Sequence, residues 1–197
     1  MAKVSASITV AAGAQALQRT INIIDAAHDD GVLPPVQVAL QHRLIAGATY
    51  QTTPPTIFVA SPCHQFEFSF LHEIGHFLDN YALVTGTPFA TTLSKTNDLA
   101  EWMNAVRKSP EVISLRLDYA NQKAVTKTGY LLLPSEIWAR SYAQWIVERS
   151  QDPALKSALD LLRRSQNQSD AKSQWSDPNF APISAEINAL FKKRGWI

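Results

Sequence analysis

His72-Glu73-Ile74-Gly75-His76, within residues 66–81 (FEFSFLHEIGHFLDNY), is the stretch on which the reading of this chain turns. Residues four apart on an α-helix lie one turn above each other on the same face, so His72 and His76 can aim two imidazoles at one point. Glu73 is about 100° further round the helix, within reach of a water held at that point. Two nitrogen ligands and a carboxylate base are the parts of a zinc hydrolase. The chain has 5 His and 7 Glu in 197 residues. At that frequency H-E-x-x-H arises by chance in about 0.004 of such chains, so an accidental match is the weaker explanation. The flanking residues suit a helix over about 64–82, because Phe70, Leu71, Ile74, Phe77 and Leu78 recur at helical spacing. Gly75 costs roughly 1 kcal/mol inside a helix, a cost accounted for if the backbone there must approach another element closely. The competing reading is a half-buried helix with two histidines in its polar seam.

Catalytic zinc takes three protein ligands and keeps a position open. A third histidine six residues after His76 would give H-E-x-x-H-x-x-G-x-x-H, but Asp79 and Ala82 occupy the decisive places, which excludes that class. A carboxylate from a later helix is the other solution, and Glu136 and Glu101 are both open. Glu136 is favoured because Pro134-Ser135 opens its helix firmly, with Pro suited to a first turn and Ser to an N-cap. For either glutamate, the competing role is a solvated first-turn acid that stabilises the helix dipole.

Outward from these helices the chain reads as α+β and predominantly helical, with a small β element before the H-E-x-x-H helix. Leu17, Ile21, Ile24 and Ala27 predict a helix over 11–27. Val36, Leu40, Leu44 and Ala48 predict a second over 36–48, with a strand as runner-up because Val36-Gln37-Val38 alternates; His42 there reads as a surface or seam residue. Thr56-Ile57-Phe58-Val59-Ala60 is the clearest strand. It is either a core strand or an edge strand able to pair with an extended peptide. Residues 83–96 are Gly, Pro and Thr-rich, contain Phe89, and form either a lid or cleft wall or a plain connector. Helices are expected over 99–107 (capped by Asn97 or Asp98), 111–122, 134–150, 154–164 and 183–193. A polar loop is expected at 123–128, a flexible loop at 165–176, an aromatic turn between Pro178 and Pro182, and a C-terminal Trp196-Ile197 that packs back.

At 197 residues and 46% hydrophobic content, residues 1–197 fit a single domain with ample core. The formal charge of +1 gives no electrostatic case for nucleic acid or an anionic membrane. Lys192, Lys193 and Arg194 read as a solvated helix end. The single cysteine, Cys63, permits no internal disulfide and reads as packing beside His64 rather than as a ligand. With no signal-like leader and no membrane span, the default compartment is the cytoplasm, with export by a signal-less route left open.

The two helices together, HEIGHFLDNYA and the later SEIWARSYAQW, resemble the zincin-type metallopeptidases related to the catalytic domain of anthrax lethal factor. They also resemble the zincin-like domains of phage and mobile-element proteins. Those share an H-E-x-G-H-x-x-D helix and a later E-x-[FW]-A helix that supplies a glutamate. The resemblance covers these two helices and little else. It implies His72 and His76 as zinc ligands, Glu136 as the third, and Glu73 as general base. This chain has Arg140 where the lethal-factor type carries an acid, which is closer to the mobile-element pattern. Asp79 would accept the second ring N–H of a ligand histidine or pair with Arg140. A tyrosine often stabilises the oxyanion in such peptidases, and Tyr130 is best placed by chain order, with Tyr142 and Tyr81 as rivals. The expected activity is zinc-dependent hydrolysis of a peptide or protein substrate. A catalytically silent interaction module and a secreted effector protease are the alternatives, and oligomeric state is not legible.

Overall fold

The structure, a computed structural model, describes residues 5–6, 11–29, 31, 33–42, 47–61, 66–83, 89–92, 97–166 and 174–197. A short strand β1 (Ser5–Ala6) precedes helix α1 (Ala11–Ala27), and strands β2 (Gln37–His42), β3 (Ala48–Thr52) and β4 (Pro55–Ser61) follow. The sheet has the order β1-β2-β4-β3. β2 runs parallel to β1 and β4, and β3 is antiparallel to β4.

β4 is therefore an interior strand, and the edge beside it is β3. Its alternation explains the placement: Ile57 and Val59 are buried while Phe58 is half-exposed, as a pleated strand with one core face requires. Residues 36–48, expected as a helix, instead hold β2 and the first residue of β3. The runner-up alternation prevails because β4 offers β2 a full ladder of partners, Gln37↔Thr56 through His42↔Ser61. The side chain of His42 lies outside the described residues, as do Cys63 and His64.

Helix α2 (Glu67–Phe77) carries the H-E-x-x-H stretch and widens into a π turn at Leu78–Ala82. It packs against β3 and β4 and against α6 (Pro134–Ser150). Short 3₁₀ turns follow at Ala90–Thr92 and Asn97–Leu99, then α3 (Ala100–Lys108), α4 (Pro110–Ala120), α5 (Val125–Leu131), α7 (Pro153–Gln166) and α8 (Asp177–Arg194). The structure is thus mostly helical α+β, with a small mixed sheet ahead of the helix that bears His72 and His76.

Helix α6 is buried from Glu136 to Val147, all round its circumference, as befits a helix at the centre of the fold. Its own Trp138, Tyr142 and Trp145, with Trp102 and Phe191 from neighbouring helices, are each at most 1% exposed. Trp196 packs back onto Phe191, as expected. Three local expectations change. The polar stretch 123–128 enters α5 at Val125, and Thr128 is buried because its hydroxyl bonds to the carbonyls of Lys123, Ala124 and Val125. Pro178 and Pro182 do not bracket a turn: Pro178 sits in the first turn of α8 and Pro182 inside the helix. Of the loop expected at 165–176, residues 165–166 belong to α7 and Trp175 is buried; 167–173 lie outside the described residues. Among the described residues no helix is long and apolar enough to cross a membrane.

Candidate metal centre

Gly75 and Ala139 make the crossing that builds the site. A Cβ on Gly75 would lie 2.7 Å from Ala139 Cα and 3.1 Å from its carbonyl oxygen, so α2 can come this close to α6 only with glycine there. The indole Nε1 of Trp138 donates to the carbonyl of Gly75 at 3.0 Å and locks the crossing. The helical repeat then sets the side chains. His72 stands three residues before Gly75 and His76 one after, while Glu136 stands three before Ala139. All three turn toward the same gap.

The Glu136 carboxylate meets both imidazoles. Oε2 lies 3.2 Å from His72 Nε2 and Oε1 lies 3.2 Å from His76 Nε2. The three donor atoms fall within 4.8 Å of one another, and the group could hold a metal ion. Bonds of about 2.0–2.1 Å in a tetrahedral zinc site place neighbouring ligand atoms roughly 3.3 Å apart, so the donor set fits in type, and the two carboxylate–imidazole distances match that spacing. Of the two carboxylates left open by the sequence, Glu136 is buried in this group, whereas Glu101 is exposed on α3.

Electrostatics follow from burial and this contact. Burial opposes ionisation of Glu136, but hydrogen bonds from His72 and His76 outweigh it and hold the carboxyl well below the usual range. Burial lowers the pKa of His72 against the pull of Glu136. At His76 burial also acts downward, yet the hydrogen bond and charge of Glu136 win and raise it. Glu73 is pushed up to about 7 by burial, which the charge of His76 resists. The backbone N–H of Tyr50, on the edge strand β3, donates to the Glu73 carboxylate. The Tyr50 hydroxyl donates to Asn80 Oδ1 at 2.9 Å, tying β3 to the π turn.

The three candidate tyrosines separate cleanly. Tyr130, at the end of α5 and 51% exposed, hydrogen-bonds to Glu136; burial and the charges of Glu136 and Glu73 push its phenol far up and keep it a donor. Tyr142 is fully buried with its hydroxyl 3.0 Å from His28 Nε2. Tyr81 stacks on Phe77 at 5.4 Å.

Arg140 is buried and donates from Nε to the Glu136 carbonyl at 3.1 Å and from Nη2 to the Leu131 carbonyl at 2.5 Å. Its guanidinium lies 5.3 Å from the Trp175 ring centroid. It thereby ties the end of α5 to the first turn of α6, fixing Tyr130 and Glu136 relative to each other. Asp79 behaves differently from expectation. Its Oδ1 accepts the Thr91 N–H at 2.8 Å and its Oδ2 the Thr91 hydroxyl at 2.7 Å, while His76 Nδ1 has no hydrogen-bond partner among the described residues. The α-helical spacing behind the expectation ends at Phe77, two residues before Asp79, where the π turn begins. Burial pushes the Asp79 carboxyl up to about 6 against these bonds.

Sequence reasoning did not single out Trp138 as the donor to Gly75, the Tyr50 amide or Thr91. The last two act through backbone groups or a tertiary contact and leave no pattern in the chain. Trp138 had a signal, a tryptophan next to the small residue that faces Gly75. No family model, curated protein or solved structure matches this chain. Its geometry, a small mixed sheet before a helix bearing His72 and His76 with Glu136 from a later helix, is consistent with a zincin-like site.

Proposed function

We propose that the chain is a zinc-dependent metalloendopeptidase of the zincin-like type, similar to the lethal-factor-related and mobile-element domains, acting on a peptide or protein substrate. The observation that carries this reading is the convergence of His72 Nε2, His76 Nε2 and the Glu136 carboxylate, with Glu73 one residue along the same helix. His72, His76 and Glu136 would hold zinc, which when bound supplies a Lewis acid that acidifies water toward a pKa of about 7 and polarises a peptide carbonyl.

The chain's own groups do the rest. Glu73, with its pKa pushed up to about 7 by burial, is suited to take a proton from the attacking water and return it to the leaving amine. The Tyr50 N–H steers that carboxylate. Tyr130, half-exposed and hydrogen-bonded to Glu136, would serve the oxygen on which negative charge develops by turning its single O–H from the Glu136 carboxylate to that oxygen. Arg140 holds the α5–α6 junction that carries both groups.

The test compares wild type with Glu73→Gln on a diverse peptide library, with zinc measured on untagged protein. The expected result is about one zinc per chain in both, as three protein ligands imply, and a loss of cleavage of about 10²–10⁴-fold in the variant. Equal cleavage by the two proteins removes Glu73 from the role. Zinc far below one per chain favours a silent binding module.

A further inference from the structure

Asp79 and Phe89 stand out because neither is where its residue type is most easily accommodated. Asp79 is fully buried, and a buried carboxylate persists only with strong partners. Both of its oxygens are engaged by Thr91, in a turn of three residues, Ala90–Thr92. Ala90 is buried in the core, so the turn is fastened at two consecutive residues. Phe89, immediately before them, is half-buried and, among the described residues, belongs neither to the apolar core nor to the partly buried side chains packed on it. Its ring instead meets the imidazole of His76, with centroids 5.7 Å apart and planes at 61°.

We infer that the Asp79–Thr91 clamp holds Phe89 as a wall of the metal centre, and that Phe89 selects substrates with an apolar side chain beside the scissile bond. The inference rests on the peptidase reading above. Its chemistry is simple. An aromatic face left out of the core and set against a ligand histidine gains by burying apolar surface. An acidic or neutral polar side chain lodged there loses hydration and finds no donor or acceptor on the ring. Asp79 is a positioning residue in this scheme. It acts through Thr91 on the wall, not through a ring nitrogen of His76.

The experiment uses zinc-loaded Glu73→Gln protein, which binds without cleaving, and calorimetry with peptide pairs that differ only by Leu or Gly on either side of a bond the wild type cuts. The Leu peptide is expected to bind about tenfold tighter or more on one side. Adding Phe89→Ala should shrink that ratio to about twofold, with zinc content and the unfolding midpoint near the parent's. Thr91→Val keeps the side-chain shape but removes the hydroxyl donor to Asp79. It should reduce the ratio partway and speed hydrogen exchange at the Thr91 amide, and it covers the case in which replacing buried Asp79 prevents folding. An unchanged Leu/Gly ratio in Phe89→Ala, with both peptides still bound, overturns this inference alone. A wild type that cuts no peptide, with a parent that binds none, overturns the peptidase reading and this inference with it.

Discussion

Gly75→Ala tests the crossing on which the whole site depends. The added Cβ would stand 2.7 Å from Ala139 Cα and 3.1 Å from its carbonyl oxygen. Ordinary carbon contacts begin near 3.5–4.0 Å, so α2 and α6 must part by roughly 1 Å. Overpacking of this kind costs about 1–3 kcal/mol, and weakening the Trp138–Gly75 hydrogen bond adds about 1 kcal/mol. Exchanging glycine for alanine inside a helix returns about 1 kcal/mol. The net expectation is a loss of about 1–3 kcal/mol in urea unfolding. The effect on the proposed metal binding is larger in proportion. His72 and His76 move with α2 and Glu136 with α6, and a ligand set must be held within about 0.5 Å, so on the proposed reading zinc affinity in a chelator competition should fall about 10–100-fold. The clashing atoms are Ala139 Cα, C and O, all backbone, so adding Ala139→Gly should not restore either property. A Gly75→Ala protein that gains stability and binds zinc as tightly as wild type would refute the reasoning.

Two further predictions concern parts of the fold away from the candidate metal centre. His28 is buried with Nδ1 2.9 Å from the Trp196 carbonyl and Nε2 3.0 Å from the Tyr142 hydroxyl, and burial lowers its pKa from 6.5 to about 4. The folded state thus binds fewer protons than the unfolded one between those values. The stability it contributes is present above pH 6.5 and is lost as pH falls toward 4, by about 2–3 kcal/mol at pH 4.5. Urea unfolding at pH 7.5 and 4.5 should show that much less pH dependence in His28→Asn than in wild type, and equal dependence would argue against the buried neutral imidazole. Pro182 lies inside α8 and is exposed, where it removes a backbone donor and crowds the preceding turn. Pro182→Ala should raise the unfolding free energy by about 1–2 kcal/mol, the helix gain less the entropy that proline removes from the unfolded chain; a lower midpoint in thermal unfolding would contradict this.

The elements that sequence anticipates are those whose signals are local. α1 is marked by Leu17, Ile21 and Ile24, all buried. α6 starts at Pro134, in its first turn. α7 is announced by Asp152, whose carboxylate accepts the N–H groups of Ala154 and Leu155. The misreadings arise where a partner decides. Val36, Leu40, Leu44 and Ala48 share a helical stripe by spacing alone, but β4 pairs with this segment along β2 and the sheet wins. β3, with Ala48 its only buried residue, has little apolar signal and is a strand because β4 is beside it. α5 looks like a polar loop because most of its first half faces solvent.

The candidate site divides along the same line. His72, Glu73 and His76 are four-residue geometry on one helix, so their convergence is written in spacing. Glu136 comes from another helix, and composition could only rank it against Glu101. The information that joins the two helices is carried by neither ligand set. It lies in Gly75, a poor helix former where the backbone of Ala139 leaves no room for a Cβ, and in Trp138, whose indole reaches the carbonyl that the close approach exposes. Asp79 shows the converse. Its position three residues after His76 suggests a partner on the same face, but the α-helix ends at Phe77, and beyond that point spacing no longer predicts direction. A glycine inside an otherwise strong helix is therefore more informative about this site than the acid that follows the ligand. The glycine reports a contact the fold requires, while the acid's partner depends on a turn geometry that spacing does not encode.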